Sequence, residues 1–312
     1  MKKYLVISCL LLISAFGYAQ TGHIMQGVGA TNMSMGGAAT AQPIDINGAL
    51  LWNPATISSF NGRIISVNAG AFFSSPELSS ALSAGMMGPG SPAVSGTTLD
   101  DRGTSVMPAL AMIFAKPNSK HTFGVSAFGI SGFGVTFPEE ANNPLSDNFD
   151  PSKPSNPINY PQQAGGFGRL QSDYMLLQVG LTYSYKLSDK FSIGIQPTFN
   201  YSALELIPNP LSSPSMTLGY PTSDKASAVG YGAQAGIFYD SKTGIKLGAA
   251  YKSQQYFNNF DFKNTYLDGS AAPGNAFTMN YPAIASIGTG YSKGKVDLAL
   301  DYRYVLYENT DG

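Results

Sequence analysis

The side chains best suited to covalent or metal chemistry are scarce in this sequence and poorly spaced for it. There are two histidines, His23 and His121, and one cysteine, Cys9. A hydrolase needs a nucleophile beside a base, and a metal needs several His, Cys, Asp or Glu side chains at ligand spacing. No serine stands in a nucleophile elbow, and no spacing of His, Asp or Glu suggests a metal site. The run GVGATN (27–32) lacks the third glycine and the preceding strand of a nucleotide-binding loop. The expectation is no enzyme and no cofactor.

A different chemistry is offered by HTFGVSAFGISGFGVTF, residues 121–137. In strict alternation Thr122, Gly124, Ser126, Phe128, Ile130, Gly132, Gly134 and Thr136 share one face. Phe128 and Ile130 interrupt its small and polar residues, and a passage for sugars or ions has little use for them. Gly129, Gly132 and Gly134 fall within six residues. Glycine inside a strand marks a bulge or kink. The chemistry suggested is partition of an apolar ligand along Phe128 and Ile130, past a break in the strand.

The elements that must position this stretch follow from composition. Residues 1–19 read as a cleaved signal peptide: Lys2 and Lys3, an apolar run over 4–16, then Gly17-Tyr18-Ala19. Cys9 leaves with it, so the mature chain has no thiol chemistry. Charged residues are 12% of the sequence, where soluble proteins have roughly 25%, while 43% is hydrophobic and 12% aromatic. The net charge of -1 gives no footprint for nucleic acid. Past the signal there is no run of about 18 apolar residues for a spanning helix. The class that tolerates this combination is a transmembrane antiparallel β-barrel, apolar only on every second residue.

The strands bear that out in their pattern. Met175, Leu177, Val179, Leu181, Tyr183, Tyr185 and Leu187 alternate with Leu176, Gln178, Gly180, Thr182, Ser184 and Lys186. A soluble sandwich also alternates, but its polar face would carry Lys and Glu rather than Gly, Ser, Thr, Gln and Asn. Nine strands are expected, over residues 62–74, 104–116, 121–137, 170–187, 190–207, 226–240, 244–260, 277–292 and 295–308. Long and short connections alternate between them, as in barrels of the outer membrane of Gram-negative bacteria. Residues 62–312 are thus barrel wall. Residues 20–61 fit no strand, yet hold Met25, Met33, Met35, Leu50, Leu51 and Trp52, and the lumen is where such a segment is buried. Asn53-Pro54 suits a helix start, with asparagine as cap and proline in the first turn.

The stretch 27–55, GVGATNMSMGGAATAQPIDINGALLWNPA, resembles the Gly-rich N-terminal hatch of the FadL-like outer-membrane transporters, with its Asn53-Pro54-Ala55. Residues 107–137 and 281–304 are similar to the same family. The resemblance implies a 14-stranded barrel plugged by the hatch, with passive uptake of long-chain fatty acids or other hydrophobic compounds, aromatic hydrocarbons included. It implies apolar pockets and a sideways exit into outer-membrane lipid through a kinked third strand, here the one with Gly129, Gly132 and Gly134. A monomer is expected. Nine strands are fewer than the family's, so a C-terminal truncation is expected too. A fatty-acid carboxylate would favour a lumenal cation, for which Arg169 and Arg303 are candidates, although either serves equally to tie hatch to wall. The rival readings are a porin for small polar solutes and a structural or adhesive barrel.

Overall fold

The computed structural model describes residues 22–311; the leader read at residues 1–19 lies outside them. One antiparallel sheet contains β1 (Gly62–Phe72), β2 (Ser105–Ala115), β3 (His121–Phe137), β4 (Leu170–Lys186), β5 (Phe191–Ile207), β6 (Ala226–Asp240), β7 (Ile245–Lys252), β8 (Ala283–Lys293) and β9 (Val296–Leu306). Each strand is bonded to its neighbour in this series, and β1 and β9 are the edges of the described sheet. Its two faces are inverted relative to a water-soluble sheet. Leu181, Ile193, Ile195, Phe199, Leu298 and Leu300 are exposed, while Gln178, Thr182, Ser184, Gln196 and Asn200 are buried. An apolar outer face with a polar interior is what a bilayer demands of a barrel wall. Among the described residues no helix is long and apolar enough to cross a membrane.

The buried face is filled by residues 22–61. Within them α1 (Ala30–Ser34) and α2 (Ile46–Trp52) are followed by a 3-10 helix at Pro54–Ser59. All seven residues of α2 are buried, which explains why this stretch has no amphipathic period: a helix enclosed on every side has no solvent face to spend polar residues on. Asp45 caps α2 by accepting from the Gly48 amide (3.0 Å). Asn53 accepts from the Ala55 amide (3.0 Å), and Pro54 opens the 3-10 helix.

One segment reaching both edges requires the sheet to curl around it. Asn47 donates to Ser66 on β1 (2.9 Å), and Gln42 donates to Asp297 on β9 (2.8 Å). Between these, Gln196 of β5 donates to the Leu50 carbonyl (2.9 Å) and Gln234 of β6 to that of Trp52 (2.6 Å). The Asn53 amide reaches the Ile237 carbonyl of β6 (3.0 Å).

Two strand expectations are corrected. The strand expected over 244–260 ends at Lys252, and Tyr256–Phe257 pairs separately with β6. The cause is Gln255, which turns inward so that its side-chain carbonyl accepts from Thr198 (2.5 Å) and Asn200 (2.9 Å). The strand expected from 277 begins at Ala283, because Ala271–Phe277 belongs to a separate three-stranded sheet with Phe260–Thr265 and Thr222–Ser223. The low-complexity connection after β1 also holds a hairpin, Glu77–Leu82 against Val94–Leu99.

Candidate functional site

The wall parts between β2 and β3. Their ladder runs from Ala115 opposite Thr122 to Ala109 opposite Phe128 and stops. Pro108 follows, a residue without an amide to donate, which suits the point where pairing ends. Among the described residues the next backbone bond between these two stretches is from the Asp101 amide to the Thr136 carbonyl (2.8 Å). The span between is an opening of about 890 Å³. Met107, Ser131 and Tyr174 line it from the inner face, and Pro108, Gly132 and Met175 from the outer, so the cavity passes through the sheet. A second cavity of about 320 Å³ lies inside, between Met25, Val28 and Met33 of the N-terminal segment and residues 68–72 of β1. The two share Met25, Phe72, Met107, Pro108 and Gly129.

The opening exists because β3 carries a bulge. Its register with β4 slips between Gly129 and Ser131, leaving Ile130 outside the ladder. A one-residue slip exchanges the faces of everything beyond it. Gly132 and Gly134, placed on the inner face by simple alternation, are therefore on the outer one, opposite Met175 and Asp173, while Ser131 and Phe133 turn inward opposite Leu176 and Tyr174. The Ile130 carbonyl released by the slip accepts from the Met25 amide (3.2 Å). Ser131 forms a bridge with Ile24 and donates to the His23 carbonyl (2.7 Å). The start of the N-terminal segment is thereby strapped to the bulge.

Phe128 and Ile130, expected to line the ligand path, line neither cavity. Both are buried in the core with Val28 and Leu50, because the bulge folds them beneath the strap. Met25, Phe72 and Met107, which sequence reasoning did not single out, line both cavities instead; Pro108 inside a strand was the available signal. Phe133 stacks on Tyr174 with ring centroids 4.8 Å apart. His23 sits edge-on to Tyr174, Tyr281 and Tyr307 at 6.2, 5.9 and 6.0 Å. Burial holds its imidazole below the ordinary histidine value.

The glycines of β3 differ in what they make room for. A Cβ at Gly134 would stand 2.6 Å from the Arg102 guanidinium. That side chain crosses the strand to pair with Asp173 (2.6 Å), which also takes Lys225 (2.9 Å). Gly129 and Gly132 instead face Met107. Arg169 lines the larger cavity and donates to Gln171 (3.0 and 2.7 Å). Arg303 stands apart from it. Its guanidinium lies 3.7 Å from the centre of the Trp52 ring, pairs with Asp301 (2.8 Å) and donates to the Gly37 carbonyl (2.6 Å). These contacts bind the N-terminal segment to β9. Lys252, also missed, is buried with its ammonium 5.7 Å from the Trp52 ring and donates to Gln178 (3.1 Å).

No family model matches the chain, and no curated protein matches it in sequence. Solved structures do. The Pseudomonas putida toluene transporter TodX is similar over 92% of this chain and 72% of its own, with a TM-score of 0.63 at 18% identity. The Ralstonia pickettii toluene transporter TbuX is similar over 90% and 72%, with a TM-score of 0.62 at 19% identity. A Pseudomonas aeruginosa FadL homologue is similar over 91% and 70%, with a TM-score of 0.61 at 15% identity. The fold is that of the FadL-like outer-membrane transporters.

Proposed function

We propose that this chain is a Gram-negative outer-membrane channel for passive uptake of hydrophobic small molecules, with residues 20–61 as a hatch in the lumen and sideways exit between β2 and β3. The observation that carries this reading is the opening through the wall, continuous at Met25, Met107 and Gly129 with an inner cavity. A polar solute gains nothing from a side door into lipid, whereas an apolar one loses nothing by leaving through it. The toluene transporters among its structural neighbours support the same ligand class.

Neutral aromatic hydrocarbons suit the inner cavity best, because its lining holds no lysine or arginine to receive a carboxylate. Arg303 is committed to Asp301 and the hatch, which leaves Arg169, at the larger cavity, for an anionic ligand. Burying seven carbons is worth about 5 to 6 kcal/mol at roughly 0.8 kcal/mol each. That corresponds to a Kd on the order of 0.1 mM before ordering costs, weak enough for release without an energy source. A sixteen-carbon fatty acid would gain about 13 kcal/mol on the same count, so its release needs the hatch to move. The test is paired assays on proteoliposomes of the full-length monomer. Radiolabelled toluene should be taken up faster than by empty liposomes, and sugars should cause no swelling. Swelling without toluene uptake would establish a polar-solute porin instead; neither response would point to a structural barrel.

A further inference from the structure

We propose that the Met107 side chain is the gate between the inner cavity and the wall opening, and sets how fast an apolar molecule crosses; this rests on the transport reading above. Met107 belongs to the inner face of β2, opposite Gly70 on β1, and immediately precedes Pro108 in the part of β2 that has lost its ladder with β3. It lines both cavities. Its thioether leans across the opening: the sulfur lies 3.3 Å from where a Cβ of Gly129 would stand, and the methyl 3.0 Å from that of Gly132.

Those two glycines have no conformational reason to be glycine. Neither is among the residues with positive φ, and glycine weakens a strand interior. What they provide is a seat for the thioether, which any side chain at either position would occupy. Of the other residues shared by both cavities, Gly129 has no side chain, Pro108 is a rigid ring, Phe72 is 58% exposed at the end of β1, and Met25 is held at its backbone by Ile130. Methionine is unbranched, with three rotatable bonds, and suits a closure that must swing aside and return.

A gate moves both rates by nearly the same factor, whereas a residue that only contacts ligand changes affinity, chiefly through dissociation. The full-length protein in nanodiscs, with empty nanodiscs as reference, is mixed in stopped flow with N-phenyl-1-naphthylamine, a neutral fluorophore that brightens in apolar surroundings. Met107→Ala should raise association and dissociation rates together by about tenfold, and Met107→Phe, which reaches the same seat with fewer rotors, should lower both. The two rates should shift by nearly the same factor, so that Kd, to which Met107 contributes as a lining residue, moves far less than either rate in each case. Heat-modifiable gel mobility checks assembly, and the volume-conserving Met107→Leu, whose shorter side chain leaves the seat part-filled and should raise both rates, replaces any variant that fails to assemble. Unchanged rates, or a shifted Kd carried by one rate alone, would overturn the gate while leaving transport standing. Wild-type protein that binds no probe would refute transport, and the gate with it.

Discussion

Filling the wall opening from the β3 side should close the exit without damaging the barrel, and Gly132→Leu does this with least disturbance. Gly132 has no positive φ, so an L side chain meets no backbone strain there. Its Cβ would stand 3.0 Å from the flexible end of Met107 and 3.3 Å from the Tyr174 carbonyl. Moving Met107 off its rotamer costs about 0.5–1.5 kcal/mol, while replacing glycine in a strand returns roughly 0.5–1 kcal/mol. The balance is near zero, and assembly should be unaffected. Passage changes much more. A leucine seated in the opening must swing aside together with Met107 for each departing ligand, and two side chains held off their rotamers cost together about 1–3 kcal/mol. At about 1.4 kcal/mol per decade, uptake of toluene should fall roughly tenfold to a hundredfold. The assay is initial-rate uptake by proteoliposomes, with heat-modifiable gel mobility as the assembly control and Gly132→Ala as the intermediate step. Undiminished uptake by assembled Gly132→Leu protein would refute the side exit and leave only passage down the lumen.

Three further outcomes are expected. Deleting residues 20–50 should raise single-channel conductance in planar bilayers, since residues 22–50 lie within the curl of the sheet from β1 to β9; conductance at the intact level would sink the hatch. Arg303→Ala should cost about 1.5–3 kcal/mol, because it leaves the Asp301 carboxylate with only the Ala39 and Thr40 amides. It should also red-shift the emission of Trp52, the sequence's single tryptophan, and an unmoved spectrum would deny the stacking. The lowered pKa of His23 makes its strap sensitive to acid: stability is full above the ordinary histidine value of about 6.5 and is lost as pH falls through the folded value. After correction for intrinsic rates, exchange of the Met25 amide should be faster at pH 5 than at pH 7.5. His23→Gln should abolish that difference, and its persistence would place the sensitivity elsewhere.

What was legible in the sequence is what repeats along the chain. Met175 to Lys186 shows its two faces because each residue answers to its own side of one sheet, and the same rule located the strands of the described sheet, two of them with bounds that the fold corrects. The Asn53-Pro54 helix start was legible because a cap is a local device. The parity change at Ile130 was not, because Phe128 and Ile130 continue an unbroken alternation on paper. The slip is coupled to the Met25 amide, more than a hundred residues away, and no local pattern reports such a partner. The break after Lys252 was hidden for the same reason: Tyr256 and Phe257 prolong the strand pattern, while the bonds that draw Gln255 inward come from Thr198 and Asn200. Arg303 had two readings in sequence, ligand partner or tie, and the neighbours that favour the tie, Trp52, Gly37 and Asp301, converge only in the fold.

An apolar ligand is expected to occupy the opening between β2 and β3. Crystals of the protein soaked in 4-bromotoluene, with data collected at the bromine absorption edge, locate the ligand without reference to its weak density. An anomalous peak between Met107 and Gly132, with a second in the inner cavity beside Val28 and Met33, is the predicted result. Bromine found only along the lumen, with the opening empty at saturating ligand, would contradict the account.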